Sequence, residues 1–524
     1  MKQTYPIRFT ASALLLALVA GCAQVPPDTH RVAPPDFARA QHAASIHLAR
    51  EGWPEARWWT RYHDSQLDAL IERALRDNPT LAVANERVLG ARAALAVERS
   101  VGGGSLNLDA GLNRQRYSSN GLFPEPIGGH FYNDAAVQIK AGYDFDWWGK
   151  HRAMVAAALG EVNARQAETA QAERTLAAAV AQSYFHWQML SARAATTRAI
   201  GALQQDLVAE RQTRVARGLA TIDDQRIAER DLSAFNEQAL GLDAQAARER
   251  EALRALIGET GTRTAAAQLK APDLSLDLKP RPLAAGVAPL PAELGIQLLA
   301  RRPDLQAARW RVEAMLGRVA SRQAAFYPDI NLAGAIGLDA VSLGRLLRTG
   351  SRTMLIGSAI ELPLFNSSGL SADLGVARAE RDAAIADYNA AVLRAVMEVA
   401  QEGATVQGLE QEAAAHAVTR AASLSLVDTS TRRMNQGLGE RAAVLLARQS
   451  LLRQDDISLQ QQDALLQTEV SLIKALGGGY EADTPSAPLA ALTNKSAALT
   501  ATAPAPSSAR ASTSSSTRSS TISQ

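Results

Sequence analysis

The residue whose type and position suggest chemistry most directly is Cys22, the single cysteine of this 524-residue chain. It closes the sequence Val19-Ala20-Gly21-Cys22, which follows a basic start and an apolar run from Ala11 to Ala20. This arrangement is typical of a bacterial lipoprotein signal peptide that is cleaved before the cysteine. We therefore predict a signal peptide at residues 1–21 and diacylglycerol on the sulfur of Cys22. Such lipid chains anchor a protein to a membrane without a spanning helix.

The residue after the cysteine indicates where such a lipoprotein would be sorted. Lipoproteins that stay in the inner membrane often have aspartate there, whereas this chain has Ala23. We therefore expect the outer membrane as its location. The alternative for this segment is an ordinary secretory signal with an incidental cysteine.

The remaining chemistry-bearing side chains match no catalytic or metal-binding pattern. The eight histidines are scattered, and no pair has the spacing of a His-Glu-x-x-His zinc site. The run Gly102-Gly103-Gly104 precedes a predicted strand rather than a helix, so we interpret it as a turn and not as a phosphate-binding loop. The chain also has no Gly-x-Ser-x-Gly elbow. We therefore expect no enzyme, no metal and no cofactor beyond the covalent lipid on Cys22.

The charge balance argues against nucleic acid as a partner. The chain has 55 basic and 53 acidic residues, a net charge of +2, and no stretch concentrates lysine and arginine. Aromatic residues make up only 5% of the sequence, which favours alanine-rich helix packing over a large aromatic core. After Cys22 no segment reaches the roughly 18 uninterrupted apolar residues of a transmembrane helix.

The elements that must position any functional residue begin with a very long helix from Gly149 to Arg217. This stretch is rich in alanine and has no proline, which favours helix throughout. At about 1.5 Å per residue the helix would be roughly 100 Å long, so it needs other helices beside it. The chain then turns at 217–221, and a second helix returns to Gly258. Thr221 is the predicted N-cap of that helix, with Asp224 in its first turn.

An alternating pattern before this helix predicts a β-hairpin at about residues 105–146. Apolar residues occupy every second position from Leu106 to Leu112 and again from Val137 to Phe145. The strands would be about ten residues long, the height of an outer-membrane barrel strand. Trp147-Trp148 would end the hairpin in the interfacial aromatic belt. A hairpin of a soluble β-sandwich would show the same alternation.

The same order of elements occurs a second time, which indicates an internal duplication. Equivalent landmarks lie at nearly the same separation: Pro79 and Pro303, Trp148 and Phe365, Gly218 and Gly437. We therefore predict an extended tether at 22–52, a first repeat at 53–258, a linker at 259–291 and a second repeat at 292–479. The second repeat would contain a β-hairpin at about 329–365 and a helical hairpin with its tip at 436–440. The Ser- and Thr-rich tail at 480–524 should be disordered.

Residues about 50–479 resemble the outer-membrane factor family, the TolC/OprM-like exit ducts of tripartite efflux pumps. The resemblance is closest to the NodT-type multidrug outer-membrane lipoproteins. It rests on the following motifs: Trp58-Trp59, Asn78-Pro79, Tyr143-Asp144-Phe145-Asp146-Trp147-Trp148-Gly149, Arg301-Arg302-Pro303-Asp304-Leu305, Phe326-Tyr327-Pro328 and Leu362-Pro363-Leu364-Phe365.

The resemblance implies a fold that mixes long helices with a membrane β-barrel. In it a homotrimer shares one 12-stranded outer-membrane barrel, with four strands from each protomer, continuous with a periplasmic α-helical barrel. Physical reasoning agrees, because four strands alone cannot close a barrel and open sheet edges are not tolerated in lipid. Outer membrane lipid would surround the barrel. A periplasmic membrane-fusion adaptor would bind the other end, and an inner-membrane efflux pump would act through that adaptor.

The resemblance also implies that the two helix turns form the adaptor-docking end. By position the tip residues are Arg217, Gly218, Leu219, Ala220, Gln436, Gly437, Leu438 and Gly439. Family members narrow this end with acidic residues, which makes Asp224 and Glu440 the candidates for a periplasmic gate. The second repeat departs from the pattern, since Ala443 stands where the first repeat has Asp224. The alternative for Asp224 is a charge that stabilises a helix N-terminus.

The hypothesis that follows is a passive exit duct for drugs or other small toxic compounds. An exit duct for protein secretion is the alternative within transport. A structural envelope lipoprotein with coiled coils is the alternative from another class. The alternating strands favour a pore over a scaffold.

Overall fold

The computed structural model describes residues 25–28, 53–259, 278–282, 300–363 and 366–481. The helices in these ranges are α1 (Ser65–Asp77), α2 (Pro79–Val101), α3 (Lys150–Ala216), α4 (Ile222–Leu256), α5 (Pro303–Ala324), α6 (Ser367–Asn435) and α7 (Arg441–Ala475). The strands are β1 (Gly104–Arg116), β2 (Phe131–Asp144), β3 (Asp329–Ala340) and β4 (Arg352–Glu361). The signal peptide, Cys22, most of the tether and linker, and the tail from residue 482 lie outside the described residues.

The four strands form one antiparallel sheet in the order β1-β2-β3-β4. The register places Leu108 opposite Ile139, Ile139 opposite Ile336, and Ile336 opposite Met354. Side chains alternate between the two faces of a strand, so these four residues mark one apolar face. Asn107 and Lys140 are paired on the other face.

The ends of the strands differ from the predicted hairpins. The strand expected to reach Phe365 ends at Glu361, and Pro363 follows two residues later. Proline has no N–H to donate to a ladder, which explains the early end. The first hairpin also ends earlier than expected, at Asp144. The carboxylate of Asp146 instead accepts hydrogen bonds of 3.0 Å from the backbone N–H groups of His151 and Arg152, where it caps α3.

The helix α3 packs against five other helices: α1, α2, α4, α5 and α7. The second long helix, α6, packs against α5 and α7. No helix within the described ranges combines the length and the apolarity that crossing a membrane requires.

In each repeat, the end of one helix meets the start of another, and we call this contact a junction. The first junction joins the end of α4 to the start of α2, and the second joins the end of α7 to the start of α5. In the first repeat Asn78 accepts a hydrogen bond from the N–H of Thr80 at the start of α2. Its Nδ2 donates a 2.8 Å bond to the carbonyl of Leu256 at the end of α4. One side chain therefore satisfies groups at both helix ends.

The second junction uses a different residue at the equivalent position. Arg302 precedes Pro303, as Asn78 precedes Pro79, and its Nη1 donates a 2.9 Å bond to the carbonyl of Ala475 at the end of α7. Arg302 also pairs with Asp304 and Glu398, at 2.7 and 2.8 Å. These two carboxylates raise the pKa of the buried guanidinium against the effect of desolvation, so the charge is kept.

A glycine in the left-handed region completes each junction. Gly258 and Gly477 have φ of 75° and 97°. A Cβ at Gly258 would lie 2.4 Å from the carbonyl oxygen of Asp77, and one at Gly477 would lie 1.8 Å from that of Arg301. Both positions therefore need glycine for conformation and for space.

The main core lies beside the first junction. It includes Trp58 and Trp59, which are 3% and 6% exposed, together with Leu67, Tyr184 and Phe185. Both tryptophans therefore serve core packing. Arg281, from the region predicted as a linker, donates a 2.7 Å bond to Asp64 at the edge of this core.

Candidate functional site

The two helix tips are geometric copies of each other. At the first tip Leu219 N–H donates to the carbonyl of Arg214 at 2.8 Å, and Gly218 N–H donates to that of Val215 at 2.9 Å. At the second tip Leu438 donates to Arg433 at 2.8 Å and Gly437 to Met434 at 3.0 Å. This hydrogen-bond pattern is the Schellman motif, in which a residue at positive φ satisfies the last carbonyls of a helix.

Glycine is needed at each tip for conformation and not for space. Gly218 and Gly437 have φ of 69° and 70°. A Cβ at either position would have no atom within 4 Å. The leucines that follow, Leu219 and Leu438, are 65% and 76% exposed. Each tip therefore presents an exposed leucine beside a hydrogen-bonded turn.

Asp224 takes part in the N-terminal cap of α4. Its Oδ2 accepts hydrogen bonds from the N–H and the hydroxyl of Thr221, at 2.9 and 2.7 Å, and its own N–H donates to that hydroxyl. This reciprocal arrangement is a capping box. The hydroxyl bond, followed by the backbone bond, lowers the pKa of Asp224. Asp224 therefore stabilises the start of α4.

Glu440 instead links the two halves of the protein. It precedes α7 and makes no side-chain cap there. Its Oε2 accepts a 2.9 Å hydrogen bond from Nη1 of Arg214 in the last turn of α3. Arg441 and Asp206 form a second bridge between the same two helices, at 3.5 Å. The structure thus brings the second tip against the end of the first long helix.

A buried polar contact that the sequence did not suggest lies further from the tips. Gln449 Nε2 donates a 2.9 Å bond to Oε1 of Gln204, whose Nε2 donates a 3.0 Å bond to the carbonyl of Ala228. Gln204 and Gln449 are 5% and 2% exposed. The contact joins α3, α4 and α7 beside a cavity of about 420 Å³. The only sequence signal was a glutamine at a helix position that also suits an apolar residue.

The apolar face of the sheet is exposed in the single chain. Leu108, Met354 and Ile356 are 71%, 77% and 76% exposed. β1 and β4 are the edge strands, each with one unpaired edge within the described part of the chain. A large apolar surface of this kind marks contact with a membrane or a partner.

The short described piece of the tether is held on α6. Arg381 Nη1 donates a 2.6 Å bond to Asp28, and Arg378 Nη2 donates a 2.7 Å bond to the carbonyl of Pro26. Val25 packs beside Phe326 and Leu374. These contacts hold residues 25–28 along α6.

The histidines and carboxylates of the described residues do not gather into a group of three or more that could hold a metal ion. His186 Nδ1 lies 3.0 Å from Asp463 Oδ2. That hydrogen bond is the main cause of the raised pKa of His186. The pair joins α3 to α7, and the side chains of His186 and Asp463 are 43% and 9% exposed.

Known proteins match this chain along most of its length. The family model described as outer membrane efflux protein matches residues 70–259 and 294–478. The multidrug resistance outer membrane protein MdtQ of Escherichia coli O157:H7 is 34% identical over 478 residues, covering 89% of this chain and 97% of its own length. The multidrug resistance outer membrane protein MdtP of Escherichia coli K12 is 36% identical over 484 residues, covering 89% of this chain and 95% of its own length.

A solved structure also matches the chain. The outer membrane protein VceC of Vibrio cholerae superposes with a TM-score of 0.72 at 30% identity, covering 82% of this chain and all of its own. The family match thus falls into two segments, one in each half of the chain.

Proposed function

Because the chain belongs to the outer membrane efflux protein family, we propose that it is the outer-membrane exit duct of a tripartite efflux system. It is an outer membrane protein of the efflux class. In this proposal three copies form one duct, which receives drugs or other small toxic compounds from an inner-membrane pump through a periplasmic adaptor. The passage is passive, and no catalytic step is involved.

The four-stranded sheet is the observation that carries the proposal. One of its faces is apolar and exposed, and each of its two edge strands has an edge that no other described strand pairs with. Lipid offers no partner for free backbone groups, so the edges must pair with other copies of the chain. Closure by three copies would give a barrel of 12 strands, as the family resemblance implies. The long helices would then form the wall of the duct below the membrane.

The tips are the proposed contact with the adaptor. They are the ends of the helical hairpins, and each carries an exposed leucine on a rigid Schellman turn. Glu440, through its bond to Arg214, is the better candidate for a gate than Asp224, whose carboxylate is used in the cap. The relatives named as multidrug resistance proteins favour small compounds over secreted proteins as the cargo.

Complementation tests the proposal. The chain is expressed with its adaptor and pump in a strain that lacks its own duct, and drug susceptibility is measured. We expect reduced susceptibility and a trimer that resists heating on a gel. Unchanged susceptibility with the trimer present would contradict the efflux role, and a monomer in the outer membrane would contradict closure by three copies.

A further inference from the structure

The charged residues of the sheet are divided between its two faces. The carboxylates of the strands all fall on the face opposite Leu108 and Ile139: Asp109, Asp134, Asp144, Asp329, Asp339 and Glu361. Arg114, Arg116 and Arg352 fall on the apolar face. The apolar face, which the proposed function places against lipid, therefore carries positive charge and no strand carboxylate.

These three arginines lie at one end of the sheet. β1 begins at Gly104, directly after α2, and ends at Arg116, while β4 begins at Arg352. The arginines are thus at the end farthest from the helices, beyond the last apolar residues of their strands. The guanidinium of Arg114 lies 5.4 Å from the centre of the Phe131 ring.

The loop between β3 and β4 also combines exposed arginines with exposed apolar side chains. Arg345 and Arg348 are exposed there, beside Leu343 and Leu347, which are 66% and 88% exposed. In the described part of the chain, none of the five arginines forms an ion pair. We call these five residues the arginine rim: Arg114, Arg116, Arg345, Arg348 and Arg352.

We propose that the arginine rim binds the phosphate groups of lipids in the outer leaflet of the membrane. The proposal rests on the proposed insertion of the sheet in the outer membrane with its helices in the periplasm. The apolar face then contacts acyl chains, and the rim lies one step above them, at headgroup depth. Guanidinium groups bind phosphate through paired hydrogen bonds, and cations near a membrane surface attract anionic lipid. Leu343 and Leu347 would contact the upper acyl chains of the same lipid.

Closure of the barrel would concentrate the rim. β4 of one copy would lie beside β1 of the next, so Arg352 would approach Arg114 and Arg116 of its neighbour. The strand carboxylates at this end, Asp134 and Asp339, are on the opposite face and cannot pair with them there. An anion from outside the protein would offset this like-charge contact. A lipid phosphate is the anion available at that depth.

Binding of a defined probe tests the proposal. The full chain, purified in a neutral detergent, is titrated against a fluorescent diphosphoryl lipid A, and anisotropy reports binding. The triple variant R114Q/R116Q/R352Q should bind at least about tenfold more weakly. The control triple R87Q/R226Q/R248Q removes the same charge from exposed helix arginines that form no ion pair among the described residues, and its affinity should be unchanged. The triple R114K/R116K/R352K, which keeps the charge, should lie between wild type and the glutamine triple.

Three outcomes would overturn the proposal: equal affinity of wild type and the glutamine triple, equal binding of enzymatically dephosphorylated lipid A, or full displacement of the probe by millimolar inorganic phosphate. The last would show a site for free anions. Heat-resistant trimer and drug export are measured on the same variants. Lost lipid binding with retained export supports the rim, whereas absent export by wild type with normal lipid binding contradicts only the proposed function.

Discussion

Arg214 in the last turn of α3 and Glu440 before α7 form an ion pair in which Nη1 lies 2.9 Å from Oε2. The two residues belong to different repeats, so this contact ties the end of one hairpin to the tip of the other. Their side chains are 30% and 65% exposed. An ion pair this exposed contributes roughly 0–1 kcal/mol to stability. The pair therefore adds little to overall stability and matters as one of the contacts that link the two tips.

Glu440→Gln should loosen the tips while the protein stays folded. We expect increased entry of a large hydrophilic antibiotic through the duct, because the bond that holds the second tip against α3 is weakened. The control is Asp428→Asn, which makes the same charge change in an exposed pair with Arg432 within one helix, near the same tip. Equal antibiotic entry in the two variants would remove Glu440 as the gate.

Gly218→Val and Gly437→Val should impair export. Both positions have positive φ, which a β-branched residue adopts only with strain. The trimer should remain heat-resistant, since the strain is confined to the tip. Gly218→Asn and Gly437→Asn are the controls, because asparagine tolerates this region and the turn should survive. If the valine variants export as well as wild type, the tips are not the docking end.

Leu108→Arg should reduce the amount of trimer in the outer membrane. Leu108 lies on the apolar face, and an arginine near the middle of the bilayer costs about 2–4 kcal/mol. Asn107→Arg places the same side chain on the opposite face and should be tolerated. Ile139→Arg and Gln138→Arg form an equivalent pair on β2. A similar trimer yield for both members of a pair would contradict the assignment of faces.

Cys22→Ser should abolish acylation. Labelling of cells with radioactive palmitate reports the lipid directly, and label on the serine variant would disprove the assignment. Because the proposed barrel also holds the protein in the membrane, any serine variant that is exported should keep part of its function. Asp28→Asn should leave the label unchanged, since Asp28 lies after the predicted signal peptide in sequence and pairs with Arg381.

The pair of His186 and Asp463 should make stability depend on pH. The hydrogen bond that Asp463 accepts from His186 raises the pKa of His186 above its ordinary value of about 6.5. Its stabilising effect is complete below that ordinary value and is lost as the pH rises through the raised pKa. Thermal unfolding in detergent should therefore show wild type more stable at pH 6 than at pH 8. In His186→Gln this difference should shrink; an unchanged difference would rule the pair out as its cause.

Local features of the fold could be read from the sequence because neighbouring residues determine them. Gly218 and Gly437 marked the helix ends, since a Schellman turn needs positive φ at one residue. Thr221 and Asp224 marked a helix start, since the capping box lies within four consecutive residues. The alternation around Leu108 and Ile139 predicted a two-faced hairpin, because side chains alternate along any strand. The family resemblance, read from short motifs, is confirmed by the family match.

The tertiary structure alone decided which distant residues meet. The contacts of Asn78 with Leu256, of Arg302 with Ala475 and of Gln204 with Gln449 each join segments far apart in sequence. The same is true of Arg214 with Glu440. No local pattern encodes such pairs, because they depend on the lengths and the packing of whole helices. The arginine rim likewise required the register of four strands, since register decides which face and which end a side chain occupies.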